Sequence, residues 1–295
     1  MGFRECEIVY TMKKKVFVFS DSYWSINRVY RDVEKQLSDE FEFFYMHWGN
    51  WTTPEFTKRY NECDLCLTNL ICVHCPMPDL PFLNFKKTLF VSHGFPEHTP
   101  VKNYPTNYMY GMTSDSIIDL FPKNIPVLYT PNGVDPDNFL YRERSGEIKT
   151  LGWVGASYQP YKHLDWGQEL ARKVDLPLRV AEHLKFEEMK AFYQTIDVLL
   201  ITAIPEEWRE TGPLPAFEAI VSGVLVIGSA VGNFRKVPGP KYSTVEEGAQ
   251  ILNELKTDPE RVRRIAKEQY ECVMKYWTYE QLARYWRSAF YATMR

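Results

Sequence analysis

The chain has 295 residues, 45% hydrophobic and 25% charged, with 35 basic side chains against 38 acidic ones and a net charge of −3. At roughly 150 residues per domain this length predicts two buried cores, and the balanced charge excludes a chain-wide electrostatic grip on nucleic acid. No apolar run approaches the roughly 20 residues of a bilayer span, and residues 1–12 carry Arg4, Glu5 and Glu7 with no apolar stretch, unlike a secretion signal. A cytoplasmic location is therefore expected, with peripheral attachment to a membrane left open.

Short apolar runs alternate with helical patterns along both halves. Strands are expected at 16–20, 41–45, 65–70, 88–92 and 127–130, with helices at 25–37, 54–62 and 114–121. The second half repeats the plan, with strands at 148–154, 178–181, 198–202 and 224–227 and helices at 164–173, 186–195 and 214–222. Such alternation predicts parallel sheets covered by helices on both faces. Between the halves, Pro131-Asn-Gly-Val-Asp-Pro-Asp137 and the polar run 141–147 read as a linker. From Asp258 the pattern is helical only: Asp258 and Pro259 form a cap and first turn, and a last helix at 278–293 places Leu282, Tyr285, Trp286 and Ala289 on one face. The predicted division is 1–134, a linker at 135–147, 148–276, and a final helix at 277–295.

Four of the six cysteines form two CxxC units, Cys63 with Cys66 and Cys72 with Cys75, only five residues apart. A four-thiolate zinc site separates its two units by about 15 to 20 residues. The intervening residues also read as a buried strand, which holds the units apart, so buried thiols are the expectation and a metal the alternative.

The most informative segment is Glu210-Thr-Gly-Pro-Leu-Pro-Ala-Phe-Glu218. A loop holding one carboxylate enters a helix through Gly212, Pro213 and Pro215, and the unpaired amides and positive dipole end of a helix start suit a phosphate. Glu218, about one turn inside, then suits the hydroxyls of a ribose, and Glu210 the opposite end of the same ligand. Two surface carboxylates beside a capped helix explain the spacing equally well. Upstream, a strand closes on Gly155-Ala-Ser157, and Lys162 in the loop beyond is a candidate for a diphosphate contact or an ordinary solvated lysine. In the first half, His93 and Gly94 end a strand at the edge where parallel sheets bind ligands; a structural histidine is the alternative. Ser20, Asp21, Tyr23 and Trp24 follow the first strand and are candidates for the acceptor side. The chain lacks a Walker loop, a GxGxxG fingerprint and a GxSxG elbow.

Several ordered segments resemble one family, the retaining glycosyltransferases of the GT-B fold, family four. Glu210 to Glu218 is similar to its E-x7-E motif, and Ala219 to Ile227 to the continuation of that motif. Pro131-Asn-Gly-Val-Asp135 with Phe139 resembles the segment that closes the first domain, and the stretches around 192–202 and 230–234 match in order. The resemblance covers most of the chain from about residue 88. It implies two Rossmann-like domains facing across a cleft, with the last helix crossing back to the first. It also implies sugar transfer from a UDP-, GDP- or other nucleotide-diphosphate sugar with retention and no required metal or cofactor. Glu210 would meet donor-sugar hydroxyls, Glu218 the ribose, Lys162 the diphosphate, the backbone near Gly212 to Leu214 the phosphates, and His93 the anomeric carbon. Ala156 stands where the family has an arginine, and Arg209 is the substitute cation. The stretch 178–197 is shorter than in the family, which leaves the base undefined. The acceptor (glycan, lipid, small molecule, protein or modified nucleic acid) and the oligomeric state are not specified. The rival readings are a nucleotide-sugar-binding protein of weak activity and a sugar-nucleotide epimerase.

Overall fold

The strand β1 (Lys14–Ser20) shows how the first sheet is built. Residues 16–20 are all buried, Val16 and Val18 packing on one face and Phe17 and Phe19 on the other, the two-sided burial that a central parallel strand needs. The computed structural model describes residues 12–20, 25–50, 53–69, 87–93, 109–121, 123–204 and 210–295. Among them, β2 (Phe41–His47), β3 (Leu65–Asn69), β4 (Thr88–Ser92), β5 (Met109–Met112) and β6 (Val127–Tyr129) complete a parallel sheet in the order β2-β1-β3-β4-β5-β6. On one face lies α1 (Ser25–Leu37), whose Ile26, Val29, Tyr30, Val33 and Leu37 recur at helical spacing and are buried. On the other, Phe56 and Tyr60 of α2 (Pro54–Glu62) close over Phe17 and Phe19.

The second sheet, order β10-β9-β7-β8, joins β7 (Leu151–Val154), β8 (Leu178–Ala181), β9 (Val198–Ile201) and β10 (Leu225–Gly228), again all parallel. Helices α3 (Leu164–Lys173) and α6 (Val245–Lys256) cover one face. The other is covered by α5 (Leu214–Val221) and α7 (Pro259–Tyr276), with α4 (Phe186–Tyr193) packed beside them. The edge strand β8 leaves Arg179 and Val180 exposed.

The chain passes between the halves twice at one place. Val134 donates to the Trp277 carbonyl at 3.0 Å and accepts from the Tyr279 amide at 3.1 Å, so the outgoing and returning segments pair as a short parallel bridge. The last helix, α8 (Tyr279–Thr293), then packs Tyr279, Trp286, Ala289 and Phe290 into the core of the first sheet. The Trp286 indole donates to the Pro131 carbonyl at 3.0 Å.

Four local differences from the expected elements stand out. The segment at 114–121 is a 3-10 turn over Asp115–Leu120 with a Ser114 cap, and it ends at an extended Phe121, as the proline that follows requires. The strand expected from 148 begins at Leu151, because the Asp197 carboxylate takes the Lys149 and Thr150 amides at 2.9 Å in place of a strand partner. A strand at Met109–Met112 and a helix at Val245–Lys256 form where none was expected.

Candidate functional site

Lys162 is fixed by its backbone before its charge is considered. Its carbonyl accepts from the Thr202 hydroxyl at 2.5 Å and from the Trp153 indole at 3.3 Å, and that indole also donates to Thr202 at 2.9 Å. Its stem lies over Gly155, where an added Cβ would stand 2.6 Å from the Trp153 ring and 2.9 Å from Lys162 Cδ; only glycine leaves this space. The ammonium donates to Glu210 Oε2 at 2.8 Å, with the two side chains 21% and 15% exposed. Burial works to lower the Lys162 ammonium, but the Glu210 carboxylate prevails, and the group is held above the ordinary lysine range. Two further ammonium protons remain for an anion.

Next to Glu210, Thr211 joins the two halves. Its hydroxyl donates to the His93 carbonyl at 2.8 Å and lies 2.8 Å from the Thr113 hydroxyl. Asn233 in turn holds the Thr113 carbonyl at 2.7 Å and the Thr211 carbonyl at 3.0 Å. The carboxyl ends of β4 and β5 are thus docked on the loop that leads into α5. His93 approaches the Tyr30 hydroxyl at 3.2 Å through Nε2, and Tyr30 donates to Asn69 at 3.0 Å. Desolvation pushes the His93 imidazole down to about 3, against a weaker hydrogen-bond effect from Asn132, so the ring is neutral at physiological pH. A neutral ring acts on a ligand through hydrogen bonds and not as a cation.

The entrance to α5 presents fewer amides than expected. Pro213 and Pro215 have no N–H, the Pro213 carbonyl accepts from the Ala216 amide at 2.9 Å, and Leu214 joins the core of the first sheet. Among the described residues the Thr211, Gly212 and Leu214 amides of this turn remain without a hydrogen-bond partner. Pro213 therefore shapes the turn and cannot donate to a phosphate. Gly212 faces the Asn132 side chain, which an added Cβ would approach to 2.9 Å.

Glu218 is 4% exposed and has both oxygens engaged. Oε1 pairs with Arg28 of α1, and Oε2 accepts from the Tyr193 hydroxyl at 2.7 Å. The Arg28 guanidinium also lies over the Phe186 ring, 4.3 Å from its centre. As it stands, Glu218 offers no free oxygen to a ribose. Nearby on α1, burial pushes the Asp32 carboxyl up to about 7, with Arg28 opposing and Asp135 and Glu218 adding to the effect. A carboxyl raised in the folded state stabilises the fold fully below its unfolded value, and that contribution is lost as the pH rises through the folded value. Between about pH 4 and pH 7, Asp32 should therefore lower the melting temperature as the pH rises. In Asp32→Asn this component of the slope should vanish, as thermal unfolding at several pH values will show; an unchanged slope would contradict the placement.

The structure thus brings Gly155, Lys162 and Glu210 together, and connects them through Thr211 to His93. Ser157 gives its amide and hydroxyl to Glu182 at 2.5 and 2.6 Å. The Ser20 hydroxyl, buried at the end of β1, accepts from Asn27 at 3.0 Å. Asp21, Tyr23, Trp24 and Arg209 lie outside the described residues, as do Cys72 and Cys75. Cys63 and Cys66 are buried, and among the described residues no three His, Cys, Asp or Glu side chains form a metal-binding group. Arg28, Tyr193, Thr211 and Asn233 were not anticipated; no local pattern distinguishes them, since their partners lie in distant parts of the chain.

Residues 144–288 match the family described as Glycosyl transferase-like, a span that includes Gly155, Lys162, Glu210 and Glu218 and supports membership of a glycosyltransferase family. No curated protein matches the chain in sequence. Among solved structures, AviGT4, a glycosyltransferase involved in avilamycin A biosynthesis, is similar with a TM-score of 0.65 and 14% identity, covering 95% of this chain and 98% of that one. The N-terminal domain of Candida albicans trehalose-6-phosphate phosphatase gives 0.62 and 10%, covering 96% and 100%. An α1,3-fucosyltransferase with GDP-fucose gives 0.56 and 10%, covering 97% and 94%. At such identities the likeness is one of fold: two parallel-sheet α/β domains in the GT-B arrangement. No helix among the described residues is long and apolar enough to cross a membrane.

Proposed function

We propose that the chain is a retaining glycosyltransferase of family four that transfers a sugar from a nucleotide-diphosphate donor, with 148–276 as the donor half and 1–134 as the acceptor half. The observation that carries this reading is the Lys162 and Glu210 pair, mostly buried and one residue from the contact with His93. As the anomeric bond lengthens, negative charge grows on the leaving diphosphate and positive charge on the sugar ring. Lys162 and the Gly212 and Leu214 amides would meet the first. Glu210 would hold donor-sugar hydroxyls, and neutral His93 would orient the sugar by hydrogen bonding. Such preorganised donors act where charge develops, and the scheme calls for neither a metal ion nor a cofactor. A donor ribose would have to exchange with Arg28 for a Glu218 oxygen. A cytoplasmic location belongs to the same reading.

A nucleotide-sugar-binding protein of weak activity is the second reading, favoured by the engaged Glu218 and by Ala156 in place of the family's arginine. Nucleotide release from a panel of UDP- and GDP-sugars separates the two. Turnover by the native protein, lost in Glu210→Ala and in Lys162→Ala, supports transfer. Tight binding without turnover supports the second reading, and turnover that survives both substitutions removes the site.

A further inference from the structure

His93 is held at both ends. Its carbonyl takes the Thr211 hydroxyl from the donor half. Its ring meets a pair of residues in the first half that the transfer scheme leaves unused, Tyr30 on α1 and, through it, Asn69 at the end of β3. Both are buried, at 0% and 1% exposure. β3 and β4 pair in parallel with Asn69 opposite Val91, so Asn69 and His93 close neighbouring strands at the edge where open parallel sheets place their ligands. The Tyr30 ring stands edge to face against His93, centroids 5.7 Å apart, and against Trp286 of α8 at 6.2 Å. Packing therefore fixes where its oxygen sits. Asn69 Nδ2 has no hydrogen-bond partner among the described residues, a buried donor that a ligand oxygen would satisfy.

The direction of these bonds follows from counting protons. A tyrosine hydroxyl has one to give, and Tyr30 gives it to Asn69 Oδ1 at 3.0 Å. At the 3.2 Å contact with His93 Nε2 the phenol oxygen can then only accept, so the proton there belongs to the imidazole. In a neutral ring Nδ1 then carries no proton, and whatever meets it must donate to it. We propose that Tyr30, with Asn69 as its acceptor, is a positioning residue that fixes His93 as the Nε2–H tautomer. The consequence for transfer rests on the donor reading above and gives it a direction. A sugar hydroxyl donates to the ring, and the ring has no proton left to offer the departing diphosphate.

Nitrogen-15 spectra of the histidine-labelled native protein test this with no substrate present, His93→Gln serving to assign the signals. The His93 proton should appear as a one-bond correlation to Nε2, slow to exchange, with Nδ1 unprotonated. Tyr30→Phe keeps the ring and removes only the hydroxyl, and the Nε2 proton should then exchange fast enough to lose its signal. In nucleotide release from UDP- and GDP-sugars, Tyr30→Phe and Asn69→Ala should each lower turnover by roughly 2- to 12-fold, the worth of one hydrogen bond. The double variant should fall no further, because both residues act through one chain of bonds. A proton on Nδ1 in the native protein, or an Nε2 signal unchanged in Tyr30→Phe, overturns the relay and leaves the donor reading standing. Losses of turnover that add in the double variant overturn it too. A native protein that shows the protected Nε2 proton but releases no nucleotide supports the tautomer and removes the donor reading.

Discussion

Lys162→Met is expected to lower turnover by about 100- to 1000-fold, the loss seen when one preorganised donor to a developing anion is removed, and to destabilise the protein as well. The second effect has a separate cause. Lys162 and Glu210 face each other at 2.8 Å with little solvent access, so removal of the cation strands a carboxylate in a dry setting. For a fully buried pair that penalty is about 3–5 kcal/mol, and here it should be smaller because each side chain keeps some exposure. Lys162→Met combined with Glu210→Gln removes both charges and should return the melting temperature close to the native value, since neutral replacement of a buried pair is often tolerated. Turnover should stay low in the double variant. Stability and activity therefore part company in one pair of measurements, thermal unfolding and nucleotide release. Recovery of turnover together with stability would mean that the pair serves only the fold.

The sheets were legible wherever a strand is an unbroken apolar run, as at Val198–Ile201. The strand Met109–Met112 escaped because Met-Tyr-Gly-Met has no β-branched residue and carries a glycine, which normally weakens a strand. That glycine is there for packing: a Cβ at Gly111 would stand 2.6 Å from the Thr130 hydroxyl. Helix Val245–Lys256 also carries an interior glycine, Gly248, which faces Leu170 and Tyr242. At the site, the Lys162 and Glu210 pair could be reached from two loops that each follow a strand. Arg28 could not. It lies 190 residues from Glu218, on a helix whose other cations, Arg31 and Lys35, look the same in sequence. Periodicity marks the buried face of α1 but not which half of the molecule its flank will meet.

Arg28→Ala should then give the largest loss of stability, and the loss should appear at the seam between the halves. Glu218 is nearly inaccessible and faces Arg28, with Tyr193 as its other partner among the described residues. Without the guanidinium the carboxylate must do without its ion-pair partner or take up a proton; for a fully buried pair that costs about 3–5 kcal/mol, and the 24% exposure of the Arg28 side chain reduces it here. The packing of Arg28 on Phe186 is lost as well. Arg28→Lys restores a charge but neither the planar fork nor the stacked face, so it should recover only part of the deficit. Each half keeps its own core, one around β1 and α1 and the other around β9 and α5. The substitution should therefore loosen their contact before it unfolds either. Hydrogen exchange should accelerate at α1, α4 and the Thr211 turn while the amides of β1 and β9 stay protected. Uniform acceleration across both cores would show that Arg28 supports the fold as a whole, and native exchange at all three segments would show that the pair holds nothing together.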